Sequence, residues 1–404
     1  MVDARGPGVR TRGPLAPDVG VIGLVPNQWT DLWQPRHQVL HRLAKYFNVV
    51  WINPAREWRD ALAAAGRSSA ESGGEPGWEV YDPPWFLPKV YRPDRLAQAL
   101  ATARLTRAWS RIARLGATTK VLYLWRPEFA GALDWPHQLS VYHIDDEFSF
   151  DLSATSIDPT DSDLIRRVDQ VIIHSPGLWE AKGSINPHTA LVPNGVAYQQ
   201  FAGPRPEPPD LAPIRRPRIG YAGWLTLQLD WDLIDQVAAG SPEWSFVFVG
   251  ATKHTEELER HPGYQSCRGR PNVHFLGRKT PEVLAAYPQH FDVCVMPYRV
   301  TPYTNCIYPL KLHEYLATGR PTVGTPIRAL QDFRQVVTLA ATPAEWRASL
   351  AEALAPAAND EPSRERRRAV ARAHDWDLLT ARIARLIAER LDHPIAAAIE
   401  VPAA

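Results

Sequence analysis

The sequence predicts an α/β protein with two doubly wound parallel sheets. Short apolar runs alternate with segments of helical spacing along most of the chain. This alternation occurs twice, and a proline-rich stretch at residues 203–217 separates the two halves. A chain of 404 residues is also too long for one ordinary hydrophobic core. We therefore predict two Rossmann-like domains that face one cleft.

In the first half, each predicted strand is a short apolar run bounded by polar or turn residues, which is typical of buried parallel strands. These strands are 19–25, 47–52, 121–125, 139–144, 170–174 and 190–192. Apolar residues at helical spacing predict a helix around Val39–Ala44 and another over 94–115. Residues 66–77 are rich in Gly, Ser and Glu, and we expect a mobile loop there.

The second half repeats the pattern. Strands are predicted at 218–222, 246–249, 273–276, 293–296 and from Thr322, and helices at 229–239, from Leu310 and over 377–391. The predicted domain plan has six parts. They are a disordered tail (1–18), an N-terminal Rossmann-like domain (19–202), a linker (203–217), a C-terminal Rossmann-like domain (218–375), a C-terminal helix (376–393), and a final tail (394–404).

Composition excludes several classes of protein. Hydrophobic residues make up 45% and charged residues 22%, as in globular proteins. A net charge of +1 gives no whole-molecule attraction to nucleic acid, so we expect no nucleic-acid partner. The three scattered cysteines argue against a disulfide framework or a zinc cluster and fit a cytoplasmic protein. The N-terminus lacks the apolar segment of a signal peptide.

The most informative segment is Tyr308–Pro326. Lys311 lies in the first turn of a predicted helix, where free backbone N–H groups and the helix dipole favour an anion. Glu314 follows about one turn later and could accept two sugar hydroxyls. Phosphate and ribose together indicate a nucleotide. Taken alone, a Lys and a Glu on a helix are ordinary exposed residues, but the Gly-Arg-Pro stop and the strand that follow favour binding.

This block resembles the donor-binding segment of GT-B glycosyltransferases, especially the bacterial, retaining family-4-like enzymes (glycosyl transferases group 1). Other segments carry the same resemblance: 33–44, 141–150, 174–176, 193–201, 219–224, 271–277 and 291–297. The resemblance implies that the N-terminal domain (19–202) binds the acceptor, that the C-terminal domain (218–375) binds the nucleotide-sugar donor, and that the helix at 376–393 crosses back to the first domain. It also implies that Glu314 holds the ribose of a nucleotide sugar. It also implies transfer of a sugar from a nucleotide diphosphate sugar to an acceptor hydroxyl, with retention. No further cofactor and no metal are expected. The acceptor could be a polysaccharide, a lipid-linked sugar or a small molecule.

Several residues depart from the family pattern. Cys306 stands where the first Glu of the family pair falls, and Ala197 replaces an Asp. The family's basic pair after Gly223 is also missing, since Thr226 and Gln228 lie in that stretch. These departures leave open a catalytically degenerate GT-B protein that acts as a binding or scaffold subunit. An epimerase or a phosphorylase of the same shape is a further alternative.

Candidate residues for the donor follow strands of the second half. The resemblance places Gly223 beside the diphosphate and Arg278 and Lys279 near the nucleobase. Arg299 follows a strand end, where ligands meet open α/β sheets, and is a candidate diphosphate clamp. For each of these residues, a polar turn or a solvated side chain is the alternative interpretation.

In the first half, His143 and Asp146 end a strand, and the resemblance implies that they face the donor sugar as catalytic residues. The run Asp145-Asp146-Glu147 allows two other interpretations, a metal site and a helix N-terminal cluster. Trp33 and Arg36 lie in the first strand–helix loop, which the resemblance assigns to the acceptor.

Four arginines recur at helical spacing beside an apolar face, Arg104, Arg107, Arg111 and Arg114. This pattern is typical of a helix that lies on an anionic membrane, and also of an ordinary solvated helix. We therefore expect a cytoplasmic protein with a possible peripheral contact at the inner face of the membrane.

Overall fold

The computed structural model describes residues 13–63, 75–147, 159–253 and 255–401. These residues form two compact units. The N-terminal unit contains the described residues up to Pro193 together with those from Trp376 onward, and the C-terminal unit is Asn194–Asp375. Residues 1–12 of the predicted tail (1–18) and most of the predicted loop at 66–77 lie outside the described residues.

The N-terminal unit contains a parallel sheet in which seven strands are described, in the order β3-β2-β1-β4-β5-β6-β7. The strands are β1 (Ala16–Leu24), β2 (Phe47–Ile52), β3 (Trp78–Tyr81), β4 (Thr119–Leu124), β5 (Leu139–Ile144), β6 (Gln170–Ile173) and β7 (Thr189–Leu191). The central strands are almost wholly buried, because helices cover both faces of such a sheet. Strand order reverses between β1 and β4, which is where ligands bind doubly wound sheets.

The helices of the first unit connect these strands. They are α1 (Pro35–Leu43), α2 (Trp58–Ala63), α3 (Asp94–Ala113), α4 (Pro159–Arg167) and α5 (Pro176–Lys182). The last long helix of the chain, α17 (Trp376–Arg390), packs on α1 in this unit, and Asp377 accepts a hydrogen bond from Arg42 at 2.8 Å. The final residues of the chain therefore belong to the first unit.

The C-terminal unit contains a second parallel sheet, in which six strands are described in the order β10-β9-β8-β11-β12-β13. The strands are β8 (Arg218–Ala222), β9 (Ser245–Val249), β10 (Val273–Phe275), β11 (Val293–Met296), β12 (Thr322–Gly324) and β13 (Thr338–Leu339). Strand order reverses between β8 and β11. The end of β8 and the end of β11 therefore flank the position at which a ligand is expected.

The helices of this unit are α6 (Tyr198–Ala202), α7 (Trp231–Ala239), α8 (Thr255–Arg260), α9 (Pro262–Gly269), α10 (Pro281–Leu284), α11 (Tyr287–His290), α12 (Pro302–Cys306), α13 (Leu310–Thr318), α14 (Arg328–Gln331), α15 (Pro343–Leu354) and α16 (Glu361–Ala373). Helix α13 ends as its sequence predicts. Gly319 follows it with φ of 76°, a left-handed conformation that glycine adopts without steric cost.

The predicted fold class is confirmed, and several boundaries differ from the sequence prediction. Strand β1 begins at Ala16, inside the stretch predicted as a tail. The two units divide at Pro193, ahead of the predicted linker. The proline-rich stretch at 203–217 packs on the C-terminal unit, because the side chains of Leu211 and Ile214 are buried in its core.

Candidate functional site

Two loops meet at the carboxyl edge of the second sheet, one after β8 and one after β11. Leu229 and Tyr298 form an antiparallel bridge between them. The amide of Arg299 donates to the carbonyl of Gln228 at 2.8 Å, and the amide of Asp230 donates to the carbonyl of Pro297 at 2.8 Å. These backbone bonds fix both loops at the position where the strand order reverses.

Gly223 and Lys311 are in direct contact at this edge. Gly223 follows β8 with φ of 146°, and a Cβ atom built on it would overlap the Cε and Nζ atoms of Lys311. Lys311 is the second residue of α13 and so belongs to the first turn, where backbone N–H groups have no partner within the helix. A cation, a helix N-terminus and a backbone without a side chain therefore converge, which is the arrangement that binds phosphate groups.

Two tyrosines and Glu314 complete the cluster. The Lys311 Nζ atom lies 5.1 Å from the ring centroid of Tyr221. Burial raises the pKa of Glu314 above its ordinary value, and the nearby Lys311 opposes that rise. Burial likewise raises the pKa values of Tyr221 and Tyr298, which bond each other through their side chains. Glu314 is thus a partly buried carboxylate beside one cation, suited to accept hydrogen bonds from ligand hydroxyls.

The remaining donor candidates lie in different settings. Arg299 is exposed directly after Tyr298. Arg278 is exposed after Gly277, whose carbonyl accepts from the amide of Gly250 at 2.9 Å. Lys279 forms an ion pair with Asp210 at 2.8 Å, so this ammonium is already neutralised.

Cys306 is the last residue of α12 and is partly exposed.

The hydroxyls of Tyr221 and Tyr298 are the neighbours of Lys311 that sequence reasoning missed. A signal for Tyr298 was its place between the strand end and Arg299.

In the N-terminal unit, Arg36 is the centre of a buried polar cluster at the β1–β4 switch point. It lies in the first turn of α1 and pairs with Asp145, which follows β5, at 2.8 Å. Its other amino nitrogen donates to the side chain of Asn27, which follows β1, at 2.6 Å. The side chains of Arg36 and Asp145 are 6% and 3% exposed. Burial lowers the pKa of Arg36, and the charge of Asp145 opposes that change.

His143 lies beneath this ion pair. Its Nδ1 atom and the hydroxyl of Tyr123 are 2.8 Å apart, and its ring stacks on Trp125 at a centroid distance of 4.1 Å. Burial, with His174 and Arg36 nearby, lowers the pKa of His143 well below its ordinary value. The imidazole is therefore neutral at pH 7. It is also 3% exposed, which leaves little room for direct contact with a substrate.

The three acids after β5 are directed to different partners. Asp145 pairs with Arg36, and Glu147 pairs with the buried Lys182 at 2.8 Å. The side chain of Asp146 accepts from the amide of Glu147 at 2.9 Å. Burial and the charge of Asp145 raise the pKa of Asp146. Within the described residues, no group of three or more His, Cys, Asp or Glu side chains is arranged to hold a metal ion.

Three buried polar atoms of this cluster have no hydrogen-bond partner within the described part of the chain. They are Arg36 Nε, Trp125 Nε1 and Asp145 Oδ1. Two are donors and one is an acceptor. Since buried polar groups are normally paired, bound water or ligand hydroxyls are expected beside these atoms. Trp125 and Asp145 are residues that sequence reasoning did not assign to this site.

Trp33 has a different environment from Arg36. It stacks on His37 at 5.9 Å and packs against Trp29 at 5.0 Å, within an aromatic cluster that includes His41, Trp51 and Trp78. These contacts hold the ring of Trp33 in the loop after β1, where it is partly exposed.

The predicted arginine stripe of α3 is largely engaged inside the N-terminal unit. Arg104 donates to the carbonyls of Leu87 and Pro88, and Arg107 lies over the ring of Phe86. Arg111 lies over the ring of Tyr81 and 3.7 Å from Glu79, whereas Arg114 is exposed. None of the described helices is long and apolar enough to cross a membrane.

Parts of this chain are similar in sequence to known glycosyltransferases. Residues 216–360 match the model of the family Glycosyl transferases group 1. TuaH of Bacillus subtilis, provisionally named a teichuronic acid biosynthesis glycosyltransferase, is 28% identical over 233 residues. That alignment covers 54% of this chain and 57% of TuaH, so it spans little more than half of that relative's length.

Solved structures with similar folds cover nearly the whole chain. Sucrose-phosphate synthase from Thermosynechococcus elongatus has a TM-score of 0.65 at 16% identity, covering 94% of this chain and 100% of that one. Anabaena HepE in complex with UDP has a TM-score of 0.62 at 16% identity, with coverages of 92% and 100%. A trehalose-6-phosphate protein from E. coli bound with UDP-2-fluoro glucose has a TM-score of 0.61 at 13% identity, with coverages of 91% and 98%. The chain therefore carries a glycosyl transferases group 1 domain and has the fold of the GT-B glycosyltransferases.

Proposed function

We propose that this protein is a glycosyltransferase that moves a sugar from a nucleoside diphosphate sugar to an acceptor hydroxyl. The observation that carries the proposal is the contact of Lys311 with Gly223 at the N-terminus of α13. A diphosphate placed there meets an ammonium and free backbone N–H groups. Both stabilise the negative charge that develops on the leaving nucleoside diphosphate.

Glu314 takes the ribose in this proposal. It lies three residues after Lys311, hence on the same side of α13, about one turn further along. A partly buried carboxylate accepts hydrogen bonds from two neighbouring hydroxyls more strongly than an exposed one. Arg299, exposed at the end of the loop after β11, supplies a second cation for the phosphates.

In this proposal, the cluster around Arg36 binds a hydroxyl of the acceptor. A hydroxyl can accept from Arg36 Nε or Trp125 Nε1 and donate to Asp145 Oδ1, which are the three buried atoms without partners among the described residues. His143, neutral and stacked on Trp125, positions that ring. Asp146, with its raised pKa, is the candidate to exchange a proton with the substrate.

Finer features of the activity are also part of the proposal. Retention of anomeric configuration follows from the resemblance to family-4-like enzymes, as does chemistry without a metal ion. The name of TuaH supports a cell-envelope polysaccharide or glycoconjugate as the product. Synthesis on the cytoplasmic side of the membrane is part of the proposal and follows from the sequence alone. The structures with UDP or a UDP sugar make uridine nucleotides the first donors to test.

The test is isothermal titration of the full chain with UDP, GDP, ADP and TDP. One nucleotide should bind, and Glu314→Ala should weaken it by about 100-fold, because two charge-assisted hydrogen bonds are lost. Lys311→Met should also weaken it. The matched control is Glu352→Ala, at an exposed glutamate of α15 in the same unit. Failure of all four nucleotides to bind would refute the donor site and favour a binding or scaffold role.

A second measurement separates transfer from binding. With the nucleotide identified, the corresponding nucleotide sugars are incubated with candidate acceptors, and sugar-linked product is followed by mass spectrometry. Asp145→Asn should reduce transfer while nucleotide affinity stays at the wild-type value. Equal loss of nucleotide affinity in Asp145→Asn would contradict the assignment of the Arg36 cluster to the other substrate.

A further inference from the structure

The N-terminal unit exposes a cluster of large apolar side chains. Thirteen large hydrophobic residues of the described chain are exposed, and six of them lie between positions 58 and 96. These six are between 44% and 61% exposed: Trp58, Leu62, Trp85, Phe86, Tyr91 and Leu96. Exposed single apolar residues are common, but a concentration of this kind marks an interaction surface.

The same segments carry exposed cations. Arg56, Arg59, Arg92 and Arg95 are all exposed. Residues 56–63 and 84–96 contain five basic and three acidic side chains, a net charge of +2, and Arg107 of α3 adds an exposed cation beside Phe86. Exposed cations are therefore interspersed with the exposed apolar side chains of these segments. We call residues 56–63 and 84–96 the aromatic–basic surface.

Backbone contacts make this surface continuous. Glu57 and Lys89 form a parallel bridge, in which the amide of Lys89 donates to the carbonyl of Arg56 at 2.7 Å. The hydroxyl of Tyr91 donates to Glu57 at 3.2 Å. From beneath, Arg104 of α3 donates to the carbonyls of Leu87 and Pro88 at 3.2 and 2.7 Å. The two segments are thus joined to each other and anchored on α3.

Cations flank the exposed rings. The guanidinium of Arg59 lies 5.1 Å from the ring centroid of Trp58, and that of Arg107 lies 4.9 Å from Phe86. The Lys89 ammonium lies 5.2 Å from the ring of Tyr91. Each ring therefore presents an apolar body beside a positive charge. Aromatic side chains of this kind favour the boundary between water and lipid, and arginine pairs with lipid phosphate.

We propose that the aromatic–basic surface binds an anionic lipid membrane peripherally. The rings would enter the headgroup boundary while the arginines contact negatively charged headgroups. A protein partner fits less well, because the centre of a protein interface is depleted in charge, whereas here cations alternate with the apolar side chains. The surface differs from the arginine stripe of α3 predicted by the sequence. Arg104 of that stripe anchors the surface and Arg107 lies over its Phe86, whereas Arg111 pairs with Glu79 outside it.

The experiment is co-sedimentation of the full chain with vesicles of phosphatidylcholine alone or of phosphatidylcholine with phosphatidylglycerol. Binding should require the anionic lipid and should fall when NaCl is raised from about 0.05 M to about 0.5 M, because salt screens the attraction. Trp85→Ala/Phe86→Ala and Arg92→Glu/Arg95→Glu should each lower the partition coefficient by about tenfold or more.

The matched control is Trp179→Ala, at an exposed tryptophan of α5 in the same unit, which should bind as the wild type does. All variants alter exposed residues, and equal melting temperatures will establish that they fold. Absence of binding to anionic vesicles at low salt overturns the proposal, and so does wild-type binding by both paired variants. Vesicle binding needs no nucleotide, so this result is independent of the proposed glycosyltransferase activity.

Discussion

Protonation of His37 should destabilise the N-terminal unit below neutral pH. This imidazole is fully buried in α1, next to Arg36. Its Nδ1 atom accepts from the amide of Gln34 at 3.1 Å, and its Nε2 atom lies 3.2 Å from the carbonyl of Gln28. Only the neutral ring provides one acceptor and one donor for these partners. A second proton would place two donors face to face at Nδ1.

Burial lowers the pKa of His37 from 6.5 to about 4. The unfolded chain therefore takes up a proton below pH 6.5 that the folded chain refuses until about pH 4. The stability that His37 contributes is complete above pH 6.5 and is lost as the pH falls through that window. Between pH 7.5 and pH 5 the loss is about 2 kcal/mol, and it approaches about 3 kcal/mol near pH 4.

The assay is urea unfolding of the wild type and His37→Gln at pH 7.5 and pH 5, followed by circular dichroism. At pH 7.5 the variant should be less stable, because the amide cannot reproduce both hydrogen bonds. At pH 5 only the wild type has lost the contribution of His37. The difference in unfolding free energy between the wild type and His37→Gln should therefore be smaller than at pH 7.5 by about 2 kcal/mol. A gap that stays constant within about 0.5 kcal/mol would refute the reasoning.

Three further outcomes are expected. Gly223→Ala should weaken nucleoside diphosphate binding by about tenfold or more in titration calorimetry, because the new Cβ would displace Lys311 and because alanine disfavours the φ of 146° at this position. The control Gly269→Ala, where a Cβ meets no atom within 4 Å, should bind as the wild type does. In urea titrations, Arg36→Met should lower the free energy of unfolding by about 3–5 kcal/mol, because Asp145 is left buried without its cation. The double variant Arg36→Met/Asp145→Leu removes that unpaired charge and should regain part of the lost stability. Cys306→Ala should leave nucleotide affinity within about twofold of the wild type, because a thiol is a weak acceptor; a larger loss in the same titration would give Cys306 a role in binding.

The sequence predicted the inner strands of the sheets better than the strand β3 at the edge of the first sheet. Strands at 47–52, 139–144, 218–222 and 293–296 have the predicted bounds, because continuous apolar runs of that length are typical of strands buried on both faces. Strand β3 was missed, since its sequence Trp-Glu-Val-Tyr is short and interrupted by a charge. The predicted linker has a composition typical of loops, although two apolar side chains within it are buried.

The candidate site was predictable where a local pattern defines it. Lys311 and Glu314 are close in sequence and lie on one helix, so their proximity follows from helical spacing. The contact between Lys311 and Gly223 joins residues 88 positions apart and depends on which strands are neighbours. The same holds for Arg36 and Asp145, which approach because β1, β4 and β5 are adjacent in the sheet. The ion pair between Lys279 and Asp210 could not be predicted from the sequence for the same reason.

The charges around the two clusters support different ligands. At the C-terminal unit's switch point, Lys311, the helix N-terminus and Arg299 supply positive charge, and Glu314 is the nearby carboxylate. A diphosphate fits this surplus. At the other switch point, Asp145 already neutralises Arg36, and Asp146 lies beside them with a raised pKa. With the charge of Arg36 already paired, a neutral hydroxyl that accepts from a buried donor and donates to the buried acceptor suits this cluster. The charges of the two clusters therefore support the proposed division, with the diphosphate at the C-terminal unit and an acceptor hydroxyl at the N-terminal unit.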